Sequence, residues 1–313
     1  MKSTTEAAVQ VAAPLWNRKT RDRVIDRSFA VVGFLTTLVG LGVLAALLID
    51  VLLDGGSRIS WQFLTSFPSR RPLEAGFLSP IIGSLWVIAT MVVVAVPLGV
   101  AAAVYLEEYS KQNWLYHLLE INIANLAGVP SIIYGLLGLG LLVRWLALGR
   151  SILAGALTLA LLILPMIIMA TREALRSIPM SIREGAYALG ATKWQVIRGQ
   201  VLPAAGGGIM TGVILSVSRA IGETAPLITI GALTYIAFLP QVPIAGEFPY
   251  LTLRGLLDPF TVMPIQIFNW VSRPQKGFLV NAAAGILVLL VITLLINGVA
   301  IWLRHRQQRK VRW

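Results

Sequence analysis

Apolar residues recur in six long runs, at 29–49, 81–106, 123–146, 152–170, 205–238 and 278–303, with polar stretches between them. A bilayer core of about 30 Å needs roughly 20 apolar helical residues to cross it, so each run predicts a transmembrane helix. The expected fold class is an all-α integral membrane protein with six transmembrane helices. Asp50 and Asp54 mark the end of the first run, and Glu107, Glu108 and Lys111 return the chain to water after the second. Gly128 and Pro130 interrupt the third run and predict a bent helix. The fifth run is long and rich in glycine, which permits close helix approach. Pro226 predicts a kink within it, and Thr224 stands where it can satisfy a freed carbonyl.

One stretch, 171–203, breaks this pattern: TREALRSIPMSIREGAYALGATKWQVIRGQVLP. It is polar and basic, and it reads as two short helices joined at a corner. Ser181 with Glu184, and Thr192 with Gln195, have the spacing of capping boxes. Gly190 falls between them, where a helix end needs a residue that tolerates positive φ. Pro179 sets the entry to the first helix, and Leu202-Pro203 closes the stretch.

Composition agrees with the membrane reading. The 313 residues are 57% hydrophobic and 13% charged, whereas a soluble domain has about 25% charged residues. Cysteine is absent and there are two histidines, His117 and His305, which excludes disulfides and thiolate sites and leaves little for a metal centre. The net charge of +12 would suggest nucleic acid in a soluble protein. Here the basic residues cluster at the ends of apolar runs, so no nucleic-acid partner is expected. The first 28 residues are polar and basic, and the run after them is too long for a signal-peptide core. The two tails, the loop after the second run and the 171–203 hairpin hold about twice as many Lys and Arg residues as the opposite loops, which predicts a cytoplasmic location for both termini and the hairpin. The layout expected is a tail at 1–28, a six-helix transmembrane domain at 29–303 with a long outer loop at 239–277, and a basic tail at 304–313.

Candidate chemistry is sparse. No catalytic constellation and no Walker A sequence occur, so the chain is not expected to bind ATP in that way. Arg219 and Glu223 are four apart in an apolar run, hence on one helical face. Arg219 lies about 21 Å along the helix from Ala205 at 1.5 Å per residue. A charge at such a depth costs on the order of 2.5–3.5 kcal/mol and should face protein or a water-filled path. Two readings stay open: Arg219 offsets the charge of a passing anion with Glu223 moderating the attraction, or the two form a structural clasp. Thr224, Asn125 and Tyr134 are polar candidates for the same path, with interhelical hydrogen bonding as the alternative.

Glu184, Gly185, Ala186, Gly190, Leu202 and Pro203 together resemble the EAA motif of ABC importer permeases, with Gly185 in place of the usual Ala and Gln200 in place of the usual Ile. Further segments are similar to the phosphate importer permeases of the PstA family: FPSRRPLEAGFLSPIIG, NLAGVPSIIYGLLGLG, EGAYALGATKW, GIMTGVILSVSRAIGETAPL and FTVMPIQIFNWVSRP. The resemblance implies a bacterial inner-membrane permease subunit without its own ATPase site. It implies pairing with a PstC-like permease, docking of two PstB-like ATPase subunits on the hairpins, and delivery of phosphate by a periplasmic or lipid-anchored binding protein. Membrane lipid is the surrounding partner. Alternatives are a permease for molybdate, sulfate or phosphonate, an ion-coupled carrier, or a scaffold that transports nothing.

Overall fold

The computed structural model of the chain describes residues 3–241 and 254–308, with side chains described from 22 to 306 in those segments. The centre of the expected long loop, 242–253, and the end of the basic tail, 309–313, lie outside the described residues. Contacts divide the chain into two compact units, 1–54 and 55–313. The first is the body of α1 (Ser3–Gly55), whose stretch Asp22–Arg58 is long and apolar enough to cross a membrane. Thr36 and Thr37 donate to the carbonyls of Val32 and Gly33 one turn back, so their hydroxyls are satisfied within the helix.

The second unit contains α2 (Trp61–Thr65), α3 (Leu78–Val104), α4 (Trp114–Ala127), α5 (Ser131–Leu137), α6 (Ile152–Arg176), α7 (Met180–Ala188), α8 (Lys193–Val196), α9 (Leu202–Gly222), α10 (Ala225–Ile230), α11 (Met263–Val271) and α12 (Lys276–Gln308). Among the described residues there is no β-strand, only an isolated bridge between Ser151 and Pro259. Five helices are long and apolar enough to cross a membrane, and a bent pair supplies a sixth crossing if taken as one span. α6 is the central one, packed between α3 and α9. Val87, Met91 and Ala95 of α3, Ile163 and Ile167 of α6, and Val213 and Val217 of α9 share one buried cluster. A second cluster lies at the end away from the hairpin, where the Phe77 ring stacks on Phe63 and on Trp270 beside Phe278. Arg58 fixes the adjoining loop: it donates to the carbonyls of Pro72, Leu73 and Ala75 and to the Asn281 side chain.

The bent pair is α4 with α5, including its π-helical extension Gly138–Trp145, and the bend is 106°. Pro130 has no N–H to continue the ladder, and it stands as the N-cap of α5. Tyr134 closes the break, its hydroxyl donating to Leu126 O at 2.8 Å. Gly135 lets α5 meet α10 closely: a Cβ there would run into Thr229 Oγ1 and the backbone of Pro226.

The fifth apolar run differs from the continuous kinked helix expected. α9 stops at Gly222, Glu223 is extended (φ −75°, ψ 115°), and α10 begins afresh with Pro226 in its first turn. The reason is local. Pro226 cannot donate to the carbonyl of Gly222, and Gly222 itself is a poor helix former. Thr224 Oγ1 lies 3.5 Å from that carbonyl, in the role anticipated for it.

The hairpin also departs from the expected pattern in two places. The Ser181–Glu184 capping box does not form: Pro179 is the N-cap of α7, so Ser181 already sits inside the first turn, and no side chain caps that end. Leu202-Pro203 does not close the hairpin, because α8 runs through a π-helical turn, Ile197–Val201, straight into α9. The wider turn accommodates the proline ring, which would otherwise crowd the carbonyl of Gly199. The remaining features form as read. Gly190 has φ +82°, its N–H bonds to Tyr187 O, and Ala191 N–H bonds to Ala186 O, a Schellman ending. Thr192 and Gln195 make the reciprocal capping box.

Gly135→Val tests the helix contact at the two breaks. The added atoms meet backbone, so α5 and α10 must separate, at a cost of about 1–3 kcal/mol or more. The expected outcome is a lower melting midpoint and a reduced yield of assembled complex on size-exclusion chromatography, while Gly140→Val, which meets nothing within 4 Å, leaves both unchanged.

Candidate functional site

Two broken helices face each other in the second unit, and this is where the polar candidates gather. α9 breaks at Glu223 and α4–α5 breaks at Gly128–Pro130, and the short helices beyond the breaks, α10 and α5, pack together. Irregular backbone at membrane depth survives only where protein or water supplies its missing hydrogen bonds. Broken helices of this kind are where membrane transport proteins place solute sites.

Arg219 stands in the last turn of α9 and Glu223 at its C-cap, with Arg219 Nε 3.3 Å from Glu223 Oε1. The pair is therefore local to one helix end. Arg219 also directs Nη1 at Met166 Sδ of α6, 3.3 Å away. Its side chain is 45% exposed in this protomer while that of Glu223 is 18% exposed. The guanidinium thus keeps donors free of protein partners, and a planar fork suits oxyanion oxygens. Tyr134 is buried and its hydroxyl is spent on Leu126 O. Thr224 lies beside Glu223 in the break, as the N-cap of α10. Asn125 is exposed in the last turn of α4, where its carbonyl accepts from Gly128 N–H.

The hairpin end has its own chemistry. Glu184 and Gly185 are exposed on α7, and Ala186 is partly buried against the main core. Leu189 beside the Gly190 corner is 89% exposed, and Met180 and Tyr187 are exposed nearby. A compact polar hairpin that presents apolar tips is a surface suited to a protein partner. Leu202 and Pro203 lie in the continuous helix that links this surface to Arg219.

The sequence pattern did not disclose the ion-pair network beneath the hairpin. Arg172, buried near the end of α6, donates to Glu107, Glu120 and the Tyr116 hydroxyl. Arg176, one turn on, bonds Glu107 at 2.8 Å and the same hydroxyl. Arg183 of α7 bonds Glu108 at 2.9 Å and the carbonyls of Leu175 and Ile178. So Glu107 and Glu108 do not simply return the chain to water: they lie in the π-helical turn Tyr105–Tyr109 that extends α3 and tie it to the root of the hairpin, while Tyr116 and Glu120 tie α4 to the same arginines. Pairs with one partner lost would leave a charge buried, which is costly. The only signal in the sequence was the spacing of Arg172 and Arg176 on one helical face. Their partners lie too far along the chain to be read.

Comparisons place this arrangement. The family described as binding-protein-dependent transport system inner membrane component matches residues 95–313. The probable ABC transporter permease protein YqgI of Bacillus subtilis (strain 168) is 28% identical over 292 residues, 92% of this chain and 96% of that protein. The phosphate transport system permease protein PstA of Yersinia pestis is 32% identical over 276 residues, 88% of each chain. A solved bacterial ABC transporter for alginate shares the fold, with a TM-score of 0.62 at 14% identity, covering 89% of this chain and 94% of that one. The chain therefore belongs to the inner-membrane permeases of binding-protein-dependent ABC importers, multi-pass subunits that work with a separate ATPase and a substrate-binding protein.

Proposed function

We propose that this permease conducts inorganic phosphate and forms half of the path, the other half coming from a PstC-like permease. Two PstB-like ATPase subunits dock on the hairpins of the pair, and a periplasmic or lipid-anchored phosphate-binding protein delivers the solute. Both termini and the hairpin lie in the cytoplasm. ATP and Mg bind on the ATPase subunits, not on this chain. The observation that carries the reading is the Arg219–Glu223 pair at the facing helix breaks, together with PstA among the relatives.

The geometry supports a path role over a clasp. A clasp holds two elements together, whereas Arg219 and Glu223 belong to one helix end and leave the guanidinium partly exposed. Arg219 lowers the cost of bringing an anion into the membrane. Glu223 keeps that attraction shallow, because conduction requires binding weak enough to leave. Its carboxylate also accepts a hydrogen bond from protonated phosphate, which fully ionised sulfate cannot donate. Thr224 lies in this break, and Asn125 and Tyr134 flank the facing α4–α5 break. At the other end, Glu184, Gly185, Ala186 and Gly190 contact the ATPase, and Leu202 and Pro203 carry its movement into α9.

Arg219→Ala is expected to lower uptake of labelled phosphate roughly tenfold or more, the loss of one charged hydrogen-bonding group, with assembly unchanged. Loss of the assembled complex would favour the clasp, and sulfate uptake exceeding phosphate uptake in the wild type would favour another oxyanion. Gly190→Val places a β-branched residue at φ +82°, where left-handed backbone costs about 1–2 kcal/mol for residues with a Cβ. The complex should still bind its delivery protein, and stimulated ATPase activity should fall. Unchanged stimulation would count against the hairpin as the coupling element.

A further inference from the structure

A cavity of about 550 Å³ opens beside the root of the hairpin. Its walls are Pro97, Val100 and Val104 of α3 and Leu202 of α9. That volume lies within the range of about 300–1,000 Å³ typical of ligand sites. Its lining is apolar, so water gains little by filling it. The mouth is different. Tyr105, Tyr109 and Trp194 stand there, all exposed, and Tyr and Trp gather where a membrane meets water. The Lys193 ammonium sits 4.9 Å from the centre of the Tyr109 ring. The two nearest carboxylates on α3's extension do not neutralise it: Glu107 is bonded to Arg172 and Arg176, and Glu108 to Arg183.

We infer that this cavity seats one acyl chain of an anionic phospholipid from the leaflet on the hairpin side, with Lys193 holding the phosphate. The chain supplies the apolar volume, the aromatic rim matches the depth of the headgroup boundary, and the charge at the mouth selects an anion. A protein helix would match the walls and leave the cation without a counter-charge. The seat touches both α3 and the helix that leaves the hairpin, on either side of the π-helical turn, so the lipid packs against the coupling element itself. The inference rests on the chain spanning the membrane with its hairpin at the surface, and it is independent of the solute carried.

The test uses the assembled permease complex in nanodiscs of phosphatidylcholine. A trace of phosphatidylglycerol with a photoreactive group near its acyl-chain end is added, and a matched phosphatidylcholine probe serves in a parallel sample. Cross-linked peptides are mapped by mass spectrometry. Labelling by the anionic probe is expected on 96–109 and 194–202. Ala101→Trp, an exposed residue lining the cavity, should abolish it while the complex still elutes as assembled. Lys193→Gln should lower the preference for the anionic probe about fivefold, the effect of one cation near the surface, without removing the acyl contact. Equal labelling by both probes in the wild type, or labelling that persists in Ala101→Trp, overturns the proposal. So does an unlabelled site in the assembled complex, which would show that protein covers it.

Discussion

Backbone hydrogen bonding at membrane depth is the constraint on which this structure depends. A helix broken inside a bilayer frees N–H and C=O groups that lipid cannot satisfy. This chain breaks two helices and lets them answer each other. Leu126 O takes the Tyr134 hydroxyl, Gly222 O lies within reach of Thr224, and the absence of a side chain at Gly135 brings α5 onto α10. The breaks are tolerable because they are packed on protein. Once made, they leave Arg219 and Glu223 at a helix end rather than on a helix wall, with the guanidinium partly exposed.

The second constraint lies at the opposite end of α9. The hairpin is tied down at its root. Arg172, Arg176 and Arg183 bind it to Glu107, Glu108 and Glu120, which belong to the end of α3 and to α4. The Schellman ending at Gly190 and the capping box at Thr192 fix the corner itself. The π-helical turn then carries the helix past Pro203 without interruption. One unbroken helix, Lys193–Gly222, therefore connects the hairpin corner with the break at Arg219 and Glu223.

What was legible in the sequence was what depends on near neighbours. Apolar run length located the five membrane-length helices and the bent pair α4–α5. The spacing of Thr192 and Gln195 and the glycine at 190 gave the corner correctly. The Ser181–Glu184 spacing misled because Pro179 had already claimed the cap position, a competition that the four-residue pattern does not show. Run length also failed at the fifth span, since apolar residues continue to Phe238 although the helix stops at Gly222. The pairing of Arg183 with Glu108 joins residues 75 positions apart, and no periodicity encodes it. Arg219 and Glu223 were readable because charge is rare in such a run, whereas their position at a helix end came only with the fold.

The central claim is that the hairpin and α9 move as one body. The chain has no cysteine, so Leu189→Cys and Leu215→Cys, both at exposed positions, give a unique pair of spin labels in a complex assembled with cysteine-free partner subunits. Double electron–electron resonance between them, without nucleotide and with ATP bound, should return one narrow distance that does not change. A distance that shifts or broadens when ATP binds would show that the helix yields between hairpin and break, and would contradict the account.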